Sequence, residues 1–462
     1  MATTQVLMDA AITRARAAKD ADLADLFEEI RIPSVSTLPE RREDCLRNAR
    51  WLQARFERLG FETELAAPIP EGLPVVVAEW NGRPGKPHLT IYGHYDVQPA
   101  DPLDEWRSPP FEPEIRDGRI FARGCSDNKG NHMATLKAVE HLFAAGGPPV
   151  NLRFLIEGEE EIVGKSLPRY LRDNGARLKT DAVLVWDGGF DEEGNPALAT
   201  ALRGLLYLEL HASGAAVDLH SGLFGGVAPN PINTLARIIG ELKDRNGRIT
   251  VPGIYDQVEP PSDEELADWK KKDGRYAEAI LNLSGARALE GEPGFMALEQ
   301  TGSRPTLDAN GFLGGFTGEG EKTVIPARAF AKVSLRLVPN QDPAAVKTAI
   351  EKHIQSLTTP GIAIEVKVLS SAPPVRCRVD NPAAVALRAA FSEAFGRETS
   401  LVRGGGSIPV AVDFQEAVGA PLVISGIAQA DSAAHSPNER LAVDHYLRGI
   451  ETAIRFICKL GE

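Results

Sequence analysis

Three apolar runs in the first half of the chain stop at histidine or carboxylate. HLTIYG leads into His94 and Asp96, NLRFLIEGEEE into Glu160 and Glu161, and DAVLVWDGGF carries Asp187. Each has the length and residue types of a buried strand. Helical periodicity separates them, which predicts an α/β sheet. Binding sites in open α/β sheets form outside the carboxyl ends of the strands. Carboxylates crowded there without partners are costly, and a bound cation relieves the cost. Asp127 adds another acid, in the glycine-punctuated turn GCSDNKG ahead of a predicted helix. Together these turns predict a metal site.

Alternation along a strand sends His94 and Asp96 to one side. His94 can then ligate a metal while Asp96 holds its other ring nitrogen, which sets the tautomer and strengthens the ligand. Helices are predicted over residues 5–29, 41–60, 130–145 and 166–175. After Arg203 the acidic strand ends disappear. LLYLELHASG, TVIPARAFAKVSLRLVP and GIAIEVKVL read as strands, and DPAAVKTAIEKHIQSL as a helix with an Asp cap and Pro343 at its first position. Residues 250–310 show no sustained period, and only short helices such as YAEAILNLSG are expected there. Residues 204–375 therefore read as a smaller α+β domain inserted into the first, which resumes with predicted helices over 380–396 and 441–458.

The 462 residues suffice for one large and one smaller core. A formal net charge of -13 argues against nucleic-acid binding, which needs clustered Lys and Arg. Cys45, Cys125, Cys377 and Cys458 form no CxxC pair, so neither a disulfide framework nor a zinc ribbon is indicated, and a cytoplasmic setting is expected. The N-terminal stretch has no continuous apolar h-region, so no signal peptide is expected. No apolar run reaches the roughly 18 residues of a membrane span, so no membrane partner is expected either. Gly404 to Gly406 is not a phosphate loop, since no GK[ST] follows.

The segments GHYDVQP, GCSDNKG, EGEEE, DLHSG, KTVIP, SLRLVP, GGSIP and AHSPNE run in this order over nearly the whole chain. They resemble the M20 family of metallopeptidases, and within it the cytosolic nonspecific dipeptidase and carnosinase-like branch. The resemblance implies a phosphorylase/hydrolase-like mixed-sheet α/β catalytic core in residues 1–203 and 376–462. It implies a smaller inserted α+β lid and dimerisation domain in residues 204–375. It also implies two divalent metal ions per subunit, zinc first, with manganese or cobalt as alternatives. His94 and Asp187 would hold one ion, Glu161 and His435 the other, and Asp127 would bridge both. Glu160 would be the general base for a water between the metals. Spacing does not separate neighbouring glutamates; Glu159 competes, and the likeness of EGEEE selects Glu160. Asp96 would orient His94, and the Asp127–Asn128 bond is a candidate for the family's non-proline cis peptide.

For substrate, the resemblance implies that His220 stabilises an oxyanion, reaching the partner's active site in a homodimer. Thr323 and Arg336 would bind substrate, with Arg336 gripping a free C-terminal carboxylate as Lys could not. Gly406 and Ser407 would add hydrogen bonds. The implied reaction is hydrolysis of dipeptides or similar small amides. The alternative is an N-acyl-amino-acid amidohydrolase, a deacylase, with the same metal site. A noncatalytic regulator is disfavoured by the presence of Glu160 and all five ligands.

Taken singly, several of these residues have plainer readings. Asp127 and Asp187 are good turn formers, the acidic run from Glu157 could be solvated, and Arg336 could simply pair with an acid. His88, His132, His141, His211, His353 and His445 read as packing or surface residues, and Cys125 as packing rather than a nucleophile.

Overall fold

The computed structural model describes residues 4–404 and 409–462. The chain divides into two compact units. The first comprises Met1–Ala199, Cys377–Leu401 and Pro409–Glu462; the second comprises Thr200–Arg376 with the segment that starts at Val402.

The first unit is built on a six-stranded sheet. In chain order its strands are β1 (Glu62–Ala66), β2 (Val75–Trp80), β3 (His88–His94), β4 (Asn151–Glu157), β5 (Ala182–Gly189) and β6 (Leu422–Ala428). The order across the sheet is β1-β2-β4-β3-β5-β6. β3, β4, β5 and β6 are parallel, and β2 is antiparallel to both β1 and β4. Helix Lys129–Ala145 packs on β3 and β5, with Val443–Leu460 and Thr4–Ala17 against it. On the opposite face Tyr92 meets Phe414 of helix Pro409–Ala417, ring centroids 5.8 Å apart. With both faces covered, β3 and β4 become nearly continuous apolar runs.

Register then places the acids. Tyr92 of β3 pairs with Val185 of β5. Two residues further along each strand, His94 and Asp187 fall on the same face at neighbouring strand ends. Gly93 lies between them and the helix. A Cβ there would meet His132 Cβ at 2.7 Å and Asn128 Oδ1 at 2.9 Å, so glycine lets the Asn128 turn approach β3.

The second unit holds a four-stranded antiparallel sheet, in the order Thr306–Gly314, Arg328–Leu337, Gly204–Ser213, Ala363–Ala372. Leu206, Leu208, Leu210, Val333 and Leu335 alternate onto one face, under helices Pro231–Glu241 and Pro343–Leu357. Asp342 caps the latter as its sequence predicts, accepting from Ala344 and Ala345 N at 3.2 and 3.1 Å.

Two expectations need correction. The helix predicted over residues 5–29 is two helices, Thr4–Ala17 and Lys19–Ile30. No Gly or Pro marks the break; Asp20 and Asp22 in the new first turn are its one sequence signal. Residues 250–310 are not merely short pieces: Asp263–Ser284 is one helix of 22 residues, and the strand Thr306–Gly314 follows. That helix buries only Glu265 and Trp269, so it lacks the apolar stripe that betrays most helices. Its N-terminus carries a capping box. Ser262 Oγ accepts from Glu265 N at 3.2 Å, and Glu265 Oε2 accepts from Ser262 N at 2.7 Å. Among the described residues no helix is long and apolar enough to cross a membrane.

Candidate active site

Strand ends and loops at the carboxyl end of the parallel strands bring seven of the predicted residues together. β3 ends at His94, the turn before helix Lys129–Ala145 carries Asp127, and a short 3-10 turn, Glu160–Ile162, follows β4. Asp187 lies within β5, and His435 follows β6. The donor atoms of His94, Asp127 and Asp187 lie within 4.8 Å of one another, as do those of Asp127, Glu161 and His435. Asp127 belongs to both groups. Its Oδ1 is 3.1 Å from His94 Nε2, and its Oδ2 is 3.0 Å from His435 Nε2. Asp187 Oδ1 is 3.6 Å from His94 Nε2, and Glu161 Oε2 is 3.2 Å from His435 Nε2. The Asp127–Asn128 peptide is cis.

Asp96 does more than face His94. His94 Nδ1 lies 3.0 Å from the Asp96 carbonyl oxygen and 3.4 Å from Asp96 Oδ1. The same carboxylate accepts from Glu160 N at 3.3 Å, from Glu161 N at 3.2 Å and from Ser36 Oγ at 2.7 Å. It therefore ties the histidine to the glutamate turn.

The acidic turn sorts its own glutamates. Glu157 Oε1 accepts from Tyr92 OH at 2.8 Å. Glu159 is buried, and its two oxygens accept from Leu73 N at 2.7 Å and Ser166 N at 3.1 Å. Both carboxylates are committed to the scaffold. Glu160 is half-buried, and among the described residues its carboxylate has no hydrogen-bond partner.

The electrostatics report a shortage of positive charge. Burial pushes the Glu160 carboxyl up to about 8, opposed by His94 and reinforced by Asp187, Glu161 and Asp127. Hydrogen bonds to Asp127 and then Glu161 raise His435 to about 10. Burial lowers the His94 pKa, but Asp187, Asp127 and Asp96 outweigh it and raise it well above the usual histidine value. Burial works against the Asp127 charge too, yet His435 and His94 hold its carboxyl below the ordinary range. Among the described residues no Lys or Arg pairs with Asp127, Glu160, Glu161 or Asp187. Glu161 Oε1 is buried with no partner. Oxygen and imidazole donors in two groups sharing one carboxylate fit a pair of divalent cations.

Sequence reading missed the residues that hold this set. Glu439 is wholly buried. Its Oε1 accepts from Ser126 N at 2.8 Å and Asp127 N at 3.0 Å, and its Oε2 from Gly124 N at 2.8 Å and Arg123 Nη1 at 2.7 Å. It so joins the His435 loop to the Asp127 turn. Asn128 Nδ2 donates to Asp187 Oδ1 at 2.6 Å, and its Oδ1 accepts from His94 N at 3.3 Å. Both residues lie inside segments singled out above, but a single sequence carries no signal that an acid or amide will be buried.

His220, Thr323 and Arg336 belong to the second unit. There His220 and Thr323 are neighbours: Leu219–His220 pairs with Val324–Ile325, and Ser221 N donates to the Thr323 carbonyl at 3.0 Å. Both are exposed, and His220 Nδ1 accepts from Gly222 N at 2.9 Å. Arg336 is on Arg328–Leu337, paired with Thr306 and Leu205. Gly406 and Ser407 lie outside the described residues.

A mixed sheet whose strand ends carry two such linked donor groups defines a class, the metal-dependent hydrolases. The chain belongs to peptidase family M20/M25/M40, which it matches over residues 90–459. It is 30% identical over 444 residues to the Beta-Ala-His dipeptidase of Homo sapiens, covering 93% of this chain and 87% of that one. It is 30% identical over 461 residues to the Cys-Gly metallodipeptidase of Schizosaccharomyces pombe, covering 96% of each. Among solved structures, an M20 family metallo-carboxypeptidase from Sulfolobus solfataricus superposes with a TM-score of 0.79 at 35% identity, covering 95% of this chain and 99% of that one.

Proposed function

We propose that this metallopeptidase hydrolyses dipeptides and similar small amides that carry a free C-terminal carboxylate. One observation carries the reading: Asp127 turns its two oxygens toward two separate histidines, with the uncommitted Glu160 beside them. The names of the dipeptidase relatives support the substrate class. His94, Asp127 and Asp187 would hold one divalent cation, and Asp127, Glu161 and His435 the other. Zinc suits this donor set best, with manganese or cobalt as substitutes. Such a pair supplies Lewis acidity toward a carbonyl oxygen and makes a water acidic enough to lose a proton near neutral pH.

The chain's own residues supply the rest. Glu160 takes the proton of the attacking water and later delivers one to the leaving amine. Asp96 keeps Glu160 in reach by binding the backbone of its turn. His220 would donate to the oxygen on which negative charge develops, where a donor lowers the barrier rather than merely binding substrate. Arg336, with Thr323, Gly406 and Ser407, would hold the substrate carboxylate.

The enzyme would act as a homodimer. Val217, Leu223, Phe224 and Val227, exposed around His220, support a covered surface there. All four cysteines are buried, and Cys45, Cys125 and Cys458 are free thiols, which supports a cytoplasmic location.

A substrate panel tests the reading. Metal-reconstituted protein is assayed against dipeptides, the same dipeptides with amidated C-termini, and N-acyl amino acids. Rapid turnover of free dipeptides alone is expected. Preferential turnover of acyl amino acids would favour the deacylase, and indifference to amidation would remove the carboxylate grip.

A further inference from the structure

Gln98 stands next to last in the GHYDVQP segment, and nothing above assigns it a task. Its Nε2 donates to Glu161 Oε2 at 2.8 Å and to the Glu161 carbonyl oxygen at 3.3 Å. Glu161 Oε2 is also 3.2 Å from His435 Nε2, while Glu161 Oε1 is buried and unpartnered. Among the described residues, then, the Glu161 carboxylate is gripped from outside the donor set by Gln98 alone. The other group has its own holders. Asn128 donates to Asp187 Oδ1, and Asp96 faces His94 Nδ1. The two ligand carboxylates are thus held by different side chains, Glu161 by Gln98 and Asp187 by Asn128, although the halves share Asp127 and Asp96 binds both His94 and the backbone of the Glu161 turn.

We infer that Gln98 is a positioning residue for the Glu161–His435 cation only. A neutral amide suits the task. It donates to the carboxylate and fixes its rotation, yet adds no negative charge to a cluster already rich in it. Losing such a partner typically costs about 10–100-fold in metal affinity. This inference rests on the two-cation reading, and the test separates the two.

Metal-free protein is titrated with zinc against a chromophoric chelator for wild type, Gln98→Leu, Glu161→Gln and the double variant. Thermal unfolding of each metal-free protein is recorded alongside. Gln98→Leu is expected to weaken one of two binding steps about tenfold or more. The other step and the unfolding midpoint stay at wild-type values. Glu161→Gln weakens the same step, and the double variant adds little to it. Gln98→Ala, which removes the donor without adding an apolar branch, gives the same pattern. Wild-type binding by Gln98→Leu, with one step lost in Glu161→Gln, overturns the Gln98 assignment alone. Equal weakening of both steps with a lowered midpoint also overturns it, leaving Gln98 a structural residue. Two unaltered steps in Glu161→Gln remove Glu161 from the donor set and Gln98 with it, and a single step in wild type overturns the two-cation reading itself.

Discussion

Helix Lys129–Ala145 stands between two groups of ionisable side chains that differ in balance. Along its body, Lys137 pairs with Asp22 at 3.2 Å, Asp25 at 2.6 Å and Glu140, while Arg55 pairs with Asp25 and with Glu140 at 3.0 Å. His141 meets Asp22 at 2.8 Å, and His132 meets Glu29 at 2.8 Å. Each acid there finds a basic partner in the chain, and the set fastens the helix to Lys19–Ile30. Just before its first turn, Asp127, Glu160, Glu161 and Asp187 have His94 and His435 and, among the described residues, no Lys or Arg. The difference separates scaffold from site. A charge cluster that balances itself holds elements together, whereas one left short of cations must take them from outside.

The largest test of this contrast is at the base. Glu160→Gln should lower kcat about a thousandfold while metal content, read by elemental analysis, stays at wild-type stoichiometry. Near-native turnover would move the base elsewhere.

A smaller effect is expected in the balanced cluster. Lys137→Met leaves buried acids short of a partner and should cost about 3 kcal/mol of stability in chemical denaturation. Zinc affinity and kcat of the folded fraction should not change. A variant that lost metal without losing stability would erase the distinction between the clusters.

The mildest test concerns Glu265 in the second unit. Burial opposes its charge, but hydrogen bonds from Arg403 and Thr200 hold its carboxyl down at about 2. An unfolded glutamate titrates at ~4.3. The folded pKa is the lower one, so its contribution is present above ~4.3 and fades as pH falls toward the folded value. Glu265→Gln should therefore lower stability by on the order of 2 kcal/mol at neutral pH, after allowance for solvent screening. The gap should narrow in acid melts; a constant gap would mean that packing, not charge, is lost.

Much of the centre was legible because ligand chemistry restricts residue type. His94, Asp127, Glu161, Asp187 and His435 stand in punctuated segments at strand ends or turns, and the order of those segments is specific. The choice between Glu159 and Glu160 was not legible from spacing. Leu73 and Ser166 amides occupy the two Glu159 oxygens, which supports Glu160 as the proposed base. The helix Asp263–Ser284 was hidden for another reason. Its cap is local, but one mostly exposed helix leaves almost no apolar period.

The sequence by itself determined which side chains could bind cations and where strands alternate with helices. Those features depend on residue type and short-range period. Tertiary structure alone decided that Asp127 faces both histidines, that Glu439 pins its turn, that Asn128 reaches Asp187 and Gln98 reaches Glu161, and that the acids around Lys137 find basic partners. Such facts are distances between residues remote in the chain. Hydrogen bonds and ion pairs depend on those distances, and no local pattern encodes them.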